Sequence, residues 1–250
     1  MIVKNDKDLK GLEEIGKICA LTLKTMGESL KEGMTTLELD HICRDVFAAS
    51  GAVSAPMSCY NFPGYSCISL NQEVAHGIPK PESIIKPGDI INIDVSASKN
   101  GYFSDTSATF LLGPGKESQR KLLNCAQRCL DSAIAMAVGG ELLNGLGMVV
   151  QKEARRNGYN VIKNLCGHGV GKGLHEDPDS IYNYYIKKDK RILKPGMVLA
   201  IEPFVSEKEE YVFEEKDGWT LKTPNSSQTA QFEHTIVVTE GEPLIMTLRG

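Results

Sequence analysis

The sequence predicts an α+β fold built from two related halves, about residues 1–113 and 114–250, that pack together as one domain. Two observations predict it. A helix-helix-strand pattern occurs twice, about half a chain apart, and each copy ends in an apolar strand that carries one acidic residue. The composition agrees, because a chain of 250 residues that is 41% hydrophobic and 24% charged can bury a sizeable core.

The charge balance gives no general attraction to nucleic acid or anionic lipid, since 28 Lys plus Arg stand against 32 Asp plus Glu. The longest basic stretch, residues 187–191, contains Asp189 and is interpreted as a solvated loop. No window has the pattern of a leader peptide or a membrane span, so we expect a cytoplasmic protein with no membrane or specific nucleic acid partner. Seven cysteines without a C-x-x-C pair are typical of reduced thiols.

The two-helix part of the pattern repeats at an offset of 107 residues. Each copy has apolar residues spaced for one face of a first helix, then a glycine, then a second helix that stops at another glycine. In the first copy, Thr35 and Glu38 form a capping box at the start of the second helix. The matched positions are Ile15 with Leu122, Cys19 with Ala126, Leu23 with Leu130, Met26 with Ala133, Gly33 with Gly140, and Gly51 with Gly158.

A strand closes each copy, at an offset of 108 residues. The triplets 86–88 and 194–196, both Lys-Pro-Gly, lead into apolar strands, and each strand carries an acid seven residues after the proline. These acids, Asp94 and Glu202, therefore occupy equivalent places. Two such halves would pack about a pseudo-two-fold axis, with their strands meeting in a central antiparallel sheet and the helices outside. The equivalent acids would then converge.

A hairpin brings a second acid to Asp94. Residues 90–96 alternate apolar and polar side chains, as a strand with one buried face does. Asn100-Gly101 predicts a two-residue turn, and the resulting register sets Asp105 opposite Ser96, roughly 7 to 8 Å from Asp94 on the same face. The solvated polar face of an edge hairpin would give the same pattern, so both interpretations stay open.

The second half carries two acids in strand-like segments. Residues 198–205 are apolar on both faces, which is typical of a strand covered on both sides, and residues 232–238 are strand-like with Glu233 inside. A buried carboxylate needs a cation, and no Lys or Arg lies in the strand around Glu202. A buried Arg from elsewhere in the chain is the less favoured alternative.

Histidines are scarce, and their settings differ. His76 and His168 lie in glycine-flanked turns, where glycine permits close approach of backbone or ligand, and His175 follows seven residues after His168. These three are candidates for function. His41, on a helix, and His234, on the face opposite to Glu233, are interpreted as structural.

Two Asp, two Glu and one His make a hard, oxygen-rich ligand set without a thiolate. Such a set suits a pair of divalent first-row metals better than a structural zinc. Two ions roughly 3.5 to 4 Å apart can share a hydroxide and polarise a carbonyl. The residues therefore predict metal-assisted hydrolysis.

The motifs around these residues resemble the methionine aminopeptidase family, in its short bacterial type I class, over essentially the whole chain. The resemblance implies the pita-bread fold and the hydrolytic removal of N-terminal methionine from nascent proteins and peptides. It also implies five metal ligands, Asp94, Asp105, His168, Glu202 and Glu233, with Asp105 and Glu233 bridging two divalent ions. The motifs, all in family order, are His76-Gly77-Ile78-Pro79, Asn92-Ile93-Asp94-Val95, Asp105, Gly167-His168-Gly169-Val170-Gly171, Ile201-Glu202-Pro203 and Gln231-Phe232-Glu233-His234-Thr235.

The same resemblance implies residue roles. A bridging water or hydroxide attacks the carbonyl of the N-terminal methionine, and Glu202 doubles as ligand and proton carrier. His175 steadies the developing oxyanion, and His76 contacts the amide nitrogen of the second residue. The free α-amino group of the substrate binds a metal, so a blocked N-terminus should resist cleavage. Mn, Fe, Co and Zn all suit these ligands.

A methionine pocket is implied by similarity at Cys59, Phe62, Cys67, Leu174 and Trp219, the one tryptophan of the chain. Apolar, sulfur-tolerant walls suit a thioether. Cys59 stands where many members have Tyr, and Leu174 where many have Phe, so these departures bear on the shape of the pocket and not on the chemistry. Simple core packing is the alternative for each wall residue.

Other members of the fold agree less well with the sequence. Type II enzymes, aminopeptidase P and prolidase carry insertions or further domains, and metal-free members lack the full ligand set. A catalytically silent binding module, associated with the ribosome or nascent chains, remains an alternative that metal content and turnover would separate. We expect a monomer with at most a transient ribosome contact.

Overall fold

Residues 1–248 are described by a computed structural model, and they contain five α-helices. The predicted capping box is confirmed: the Glu38 N–H donates to Thr35 Oγ1 at 3.1 Å, and the Thr35 N–H donates to the Glu38 carboxylate at 2.8 Å. None of the helices in this part of the chain is long and apolar enough to cross a membrane. The helices are Asp6–Ser29 (α1), Thr36–Ser50 (α2), Ala55–Tyr60 (α3), Glu117–Met136 (α4) and Asn144–Arg156 (α5).

Fifteen strands lie in the same described residues and form four antiparallel sheets. They are Val53–Ser54 (β1), Cys67–Leu70 (β2), Glu73–Ala75 (β3), Ile90–Lys99 (β4), Tyr102–Leu111 (β5), Asn160–Val161 (β6), Cys166–Gly169 (β7), Glu176–Tyr182 (β8), Val198–Ile201 (β9), Phe204–Ser206 (β10), Phe213–Glu214 (β11), Leu221–Lys222 (β12), Thr229–Gln231 (β13), His234–Val237 (β14) and Leu244–Ile245 (β15). Strand β4 pairs with β1, β2 and β5, and the largest other sheet has the order β15-β14-β9-β7-β8. The remaining sheets have the orders β13-β10-β6 and β11-β12-β3.

Two hydrophobic clusters fix the long helices against the sheets. In the first cluster, Ile15 and Leu23 of α1 are fully buried together with Ile93 of β4. In the second, Cys125 and Cys129, one turn apart on α4, are fully buried. Both helices turn their apolar faces inward to the strands, so the strands occupy the middle of the molecule, as expected for an α+β fold.

The turns of the two halves make equivalent backbone hydrogen bonds. The glycine after each long helix donates its N–H to the carbonyl of the residue just before a Lys-Pro-Gly triplet, and the glycine of each triplet donates to a later strand end. The two halves therefore share local geometry, and not only an apolar pattern. The bonds are Gly33 to Ile85 at 3.0 Å, Gly140 to Leu193 at 2.8 Å, Gly88 to Leu112 at 2.7 Å and Gly196 to Val238 at 2.8 Å.

The strands predicted around Glu202 and Glu233 are each interrupted at these residues. Strand β9 ends at Ile201 and β10 begins at Phe204, while β13 ends at Gln231 and β14 begins at His234. The prediction of a continuous strand over 198–205 was therefore wrong, and so was that of a strand running through Glu233. Pro203 cannot donate a ladder hydrogen bond, which is a physical reason for the first break. The breaks face each other, since β9 pairs with β14 and β10 with β13.

Candidate metal centre and active site

The β4–β5 hairpin places the two aspartates on one face. Its register pairs Lys99 with Tyr102 and Ser96 with Asp105, so the sequence predicted the turn and the register correctly. The Asp105 side chain is only 10% exposed. Both carboxylates line one cavity, so the solvated-face interpretation of this hairpin is excluded.

The two breaks in the strands bring the glutamates to the same place. At one break, the Glu233 N–H donates to the Ser107 carbonyl at 3.0 Å, and Thr106 Oγ1 donates to the Glu233 carbonyl at 2.9 Å. These bonds tie residue 233 of the second half to β5, next to Asp105. Glu202, at the facing break, lines the cavity with a side chain that is 13% exposed.

His168 supplies a nitrogen to this group of carboxylates. Its Nδ1 lies 2.9 Å from the Gly169 carbonyl, and because a carbonyl only accepts, Nδ1 carries the proton and Nε2 presents its lone pair. Nε2 lies 3.5 Å from Glu202 Oε1 and 3.8 Å from Asp105 Oδ2. A histidine that binds a metal through one ring nitrogen is usually oriented by a hydrogen bond from its other ring N–H, as from Nδ1 of His168 here.

Glycines on either side of His168 let β7 lie against its neighbours. A Cβ at Gly167 would collide with the Ala200 carbonyl, and a Cβ at Gly169 would collide with the Asp177 carbonyl. The glycine-flanked setting noted in the sequence thus has a packing reason. It allows the backbone around His168 to approach β8 and β9 more closely than any side chain would permit.

The electrostatics of the cluster call for positive charge. Burial raises the pKa of Asp105 and of Glu202 well above the ordinary carboxyl range, and neighbouring carboxylates raise both further. Burial also raises the pKa of Asp94 to about 6. Burial lowers the pKa of His168 to about 3, so this imidazole is neutral and supplies no cation. In the described part of the chain, the basic side chain found within 4 Å of the Asp105 and Glu202 carboxylates is His168, and it is neutral.

A divalent cation fits this environment. Oδ1 of Asp105 is buried and has no hydrogen-bond partner in the described part of the chain. One donor atom each from Asp105, His168 and Glu233 all lie within 4.8 Å of one another. Carboxylate oxygens with one imidazole nitrogen suit divalent first-row metals, and a cation would offset the repulsion that buried carboxylates otherwise exert.

The cavity above the carboxylates has a polar base and an apolar wall. The base comprises Asp94, Asp105, His168 and Glu202, with His76 and His175 beside them. The wall comprises Pro56, Tyr60, Phe62, Cys67, Leu174 and Trp219. Trp219 meets Phe62 edge to face with ring centroids 5.1 Å apart, and burial raises the pKa of the Cys67 thiol, which keeps it neutral. Such a wall suits an unbranched apolar side chain.

The two remaining histidines have distinct supports. His76 has a left-handed backbone (φ 54°), and Gly77 N–H donates to Ser69 Oγ at 3.1 Å, which docks this turn on β2. The rings of His175 and His168 are tilted at 45° with centroids 4.1 Å apart. His76 and His175 are exposed, whereas His168 is buried. The structure therefore brings His76, His168 and His175 together in one cavity.

One predicted wall residue differs from the others. Cys59 is exposed and is absent from the described lining of the cavity, so its place in the wall stays a prediction. Neighbouring residues on a helix point about 100° apart, and on the short helix α3 it is Tyr60 that faces the cavity. Sequence reasoning missed Tyr60, although a tyrosine beside a predicted wall position was a signal that could have revealed it.

A group of polar residues, whose hydrogen bonds to one another the sequence did not predict, supports the site. Gln231 Oε1 accepts hydrogen bonds from Asn92 Nδ2 at 2.8 Å and from Ser107 Oγ at 2.5 Å. Thr109 Oγ1 donates to the Gln231 carbonyl at 2.8 Å and accepts from the Gln231 N–H at 2.9 Å. These bonds join β4 and β5 to the segment that carries Glu233. Only the tertiary arrangement reveals them, since the partners are more than a hundred residues apart.

The fold, the donor set and a family comparison agree on the class of protein. The profile of metallopeptidase family M24 matches residues 10–240. The chain therefore belongs to metallopeptidase family M24. Its membership of this family and the oxygen-rich cluster both support the use of a divalent metal.

Individual relatives narrow the comparison. Methionine aminopeptidase 2 of Bacillus subtilis is 49% identical over 247 residues, which are 99% of this chain and 99% of that protein. A methionine aminopeptidase of Staphylococcus epidermidis is 48% identical over 248 residues, which are 99% of this chain and 98% of that protein. A solved methionine aminopeptidase structure from Thermotoga maritima has a TM-score of 0.95 at 34% identity and covers 99% of each chain. Within family M24, this chain is thus similar to methionine aminopeptidases, and the pita-bread fold is confirmed.

Proposed function

We propose that this protein removes the N-terminal methionine from proteins and peptides by hydrolysis of the first peptide bond. The observation that carries the proposal is the position of the oxygen-rich cluster at the base of an apolar-walled cavity. The similarity to methionine aminopeptidases over the whole chain supports it. The substrates would be nascent polypeptides with a free N-terminal methionine, met during at most a transient contact with the ribosome.

The ligands proposed for two divalent ions are Asp94, Asp105, His168, Glu202 and Glu233. The donor chemistry and the buried, unpartnered Oδ1 of Asp105 support this set, and Mn, Fe, Co or Zn would suit it. When bound, such ions polarise the scissile carbonyl and activate water. We also propose that the halves, about 1–113 and 114–250, act as a single domain in a monomer, because each half contributes part of this ligand set.

The remaining polar residues act on protons and on the developing charge. Glu202 is proposed to accept a proton from the attacking water and deliver it to the leaving amine, since its carboxylate lies at the base of the cavity beside His168. His175, whose ring lies beside that of His168 with centroids 4.1 Å apart, donates an N–H to the oxyanion that forms at the carbonyl. His76 contacts the amide nitrogen of the second residue from its turn at the rim of the cavity.

The methionine side chain would lie against the apolar wall. Phe62, Cys67, Leu174 and Trp219 supply neutral, polarisable surface, which suits a thioether. Tyr60, next in sequence to the predicted Cys59, also lines this wall. Leu174 is nearly fully buried, at 5% exposure, so it bounds the pocket as a rigid surface.

The test is mass spectrometry of a Met-Gly-Ser peptide and its N-acetylated form after incubation with chelator-treated protein. We expect loss of one methionine from the free peptide only when Mn or Co is restored, and no cleavage of the acetylated peptide, which lacks a basic amino group. The variant Glu202→Gln should be inactive under the same conditions. Absence of cleavage with every metal would contradict the proposal and favour the silent binding module, which ribosome co-sedimentation would then examine.

A further inference from the structure

The hydroxyl of Tyr60 contacts His175, the residue proposed to donate to the oxyanion. Oη of Tyr60 lies 2.7 Å from Nδ1 of His175, and the two rings are tilted at 56° with centroids 5.5 Å apart. Tyr60 belongs to the first half of the chain and His175 to the second. The contact therefore joins the two sides of the cavity above the cluster of carboxylates.

The backbone around Tyr60 is held firmly. At the start of α3, the Met57 N–H donates to Ser54 Oγ at 3.4 Å, and at its end Asn61, in the left-handed region, donates its N–H to the Met57 carbonyl at 3.1 Å. The next residue, Phe62, donates to the Pro56 carbonyl at 3.2 Å. These bonds fix the backbone that carries Tyr60, and the side chain, which is 45% exposed, is held at His175 by its hydroxyl contact.

The state of His175 depends on the direction of this hydrogen bond. A neutral imidazole carries one N–H, on either Nδ1 or Nε2. If the phenol donates to Nδ1, the proton of His175 resides on Nε2. If the phenol accepts from Nδ1, Nε2 is bare and cannot donate to an oxyanion. The role proposed for His175 thus requires the first arrangement.

We propose that Tyr60 is a positioning residue whose hydroxyl donates to Nδ1 of His175 and so holds that imidazole as an Nε2–H donor facing the reacting carbonyl. This inference rests on the role proposed for His175. The ring of His175 has two contacts, with the hydroxyl of Tyr60 at Nδ1 and with the ring of His168, which is tilted at 45° to it. Packing alone would fix the plane of the ring, whereas only the hydroxyl selects the nitrogen that carries the proton.

The first experiment compares the steady-state kinetics of Tyr60→Phe with those of the unaltered protein. This variant keeps the aromatic wall and removes the hydroxyl. We expect kcat to fall about 5- to 10-fold, the effect of one lost hydrogen bond, with KM within twofold and metal content unchanged. Tyr185→Phe, on an exposed tyrosine outside the lining of the cavity, is the matched control and should leave both constants unaltered. An unchanged kcat in Tyr60→Phe would overturn the proposal.

The second experiment reads the tautomer directly. In zinc-loaded, ¹⁵N-histidine-labelled protein, the signals of His175 are assigned by their loss in His175→Ala. We expect a protonated Nε2 and an unprotonated Nδ1, and a mixture of tautomers in Tyr60→Phe. The same tautomer with and without the Tyr60 hydroxyl would contradict the proposal, because a purely structural role predicts that result.

A double-mutant cycle distinguishes the role proposed for Tyr60 from the role proposed for His175. If Tyr60 acts through His175, adding Tyr60→Phe to His175→Ala causes no further loss of kcat. A normal kcat in His175→Ala would contradict the role proposed for His175 itself. A reduced kcat in His175→Ala together with a normal kcat in Tyr60→Phe would overturn the role of Tyr60 alone.

Discussion

The hydroxyl of Thr235 hydrogen-bonds both backbone polar groups of Asp105. The Asp105 N–H donates to Thr235 Oγ1 at 2.9 Å, and Oγ1 donates to the Asp105 carbonyl at 2.8 Å. Thr235 lies two residues after Glu233 and is fully buried. One hydroxyl thus fixes the two proposed bridging carboxylates relative to each other.

Replacing Thr235 with Val tests this arrangement, because Val keeps the shape and removes both bonds. We expect the affinity for Mn²⁺ to weaken about 10-fold or more, as when a supporting residue of a metal site is removed, with the fold retained. Calorimetric titration of Mn²⁺ measures the affinity, and circular dichroism checks the fold. Thr25→Val, which removes a hydroxyl bonded to the Leu21 carbonyl on an exposed part of α1, is the control. Equal affinity in both variants would argue against a role for Thr235.

Removal of either proposed bridging carboxylate should abolish turnover. We expect Asp105→Ala and Glu233→Ala each to lower kcat/KM at least about 100-fold and to lower the metal bound per chain, because each loses an anionic ligand. Peptide cleavage and elemental analysis measure the two quantities. Glu240→Ala, an exposed acid nearby in the sequence, should behave like the unaltered protein. Near-normal turnover in either bridging variant would contradict the two-metal proposal.

Metal removal should lower the thermal stability of the whole chain. Ions that bind the folded state alone stabilise it by about 3 kcal/mol at 100 times their dissociation constant, and here they also relieve carboxylate repulsion. We expect the melting temperature to fall on treatment with chelator and to recover with Mn²⁺, as followed by differential scanning fluorimetry. Asp105→Ala should show little response to Mn²⁺. A melting temperature unaffected by chelator would argue against a metal centre at this place.

Asp217 holds the turn that carries Trp219. Its carboxylate accepts from the Trp219 N–H at 3.0 Å, from the Thr220 N–H at 2.9 Å and from Thr220 Oγ1 at 2.7 Å, and Lys80 Nζ lies 3.3 Å away. We expect Asp217→Ala to raise KM several-fold with a smaller change in kcat, because the pocket wall loosens. Trp219 is the one tryptophan, so a red shift of its emission reports the change directly. Asp45→Ala, which removes an acid from an exposed ion pair with Arg44, should change neither quantity.

The Asp217 carboxylate should also make the free energy of unfolding depend on pH in the acid range. Partial burial acts to raise the pKa of Asp217, but hydrogen bonds from Thr220 and Trp219 and from Lys80 outweigh it and hold the pKa well below the ordinary 3.8. A depressed folded-state pKa stabilises the fold above the unfolded value, and this contribution is lost as pH falls below it. The difference in unfolding free energy between the protein and Asp217→Asn should be constant above about pH 5 and shrink below about pH 4. Urea titrations at several pH values measure it, and a difference that grows with acidity would contradict the assignment.

Local signals in the sequence predicted much of the fold. The Asn100-Gly101 turn set the register that places Asp105 opposite Ser96, and the repeated Lys-Pro-Gly triplets predicted that a strand follows each of them. These features depend on neighbouring residues alone, since a tight turn fixes the pairing of the strands beside it. The hairpin and the capping box of α2 were therefore predictable in detail.

Features that depend on distant partners were not predictable. The breaks at Glu202 and Glu233 occur where the chain passes between two sheets, and apolar pattern alone cannot distinguish one long buried strand from two short ones. The orientation of Tyr60 instead of Cys59 depends on where a six-residue helix begins. Thr235 stands in a recognised motif, but its contact with Asp105 needs a partner 130 residues away.

The origin of the acids in both halves has a consequence for biosynthesis. Asp94 and Asp105 are translated well before His168, Glu202 and Glu233, with 128 positions separating Asp105 from Glu233. A partly made chain therefore holds only a pair of aspartates on a hairpin, which is too few donors to retain a first-row ion against competing cellular chelators. If the proposed ligands hold the metal, its capture follows long-range closure of the chain, because His168, Glu202 and Glu233 must first reach the aspartates on the hairpin.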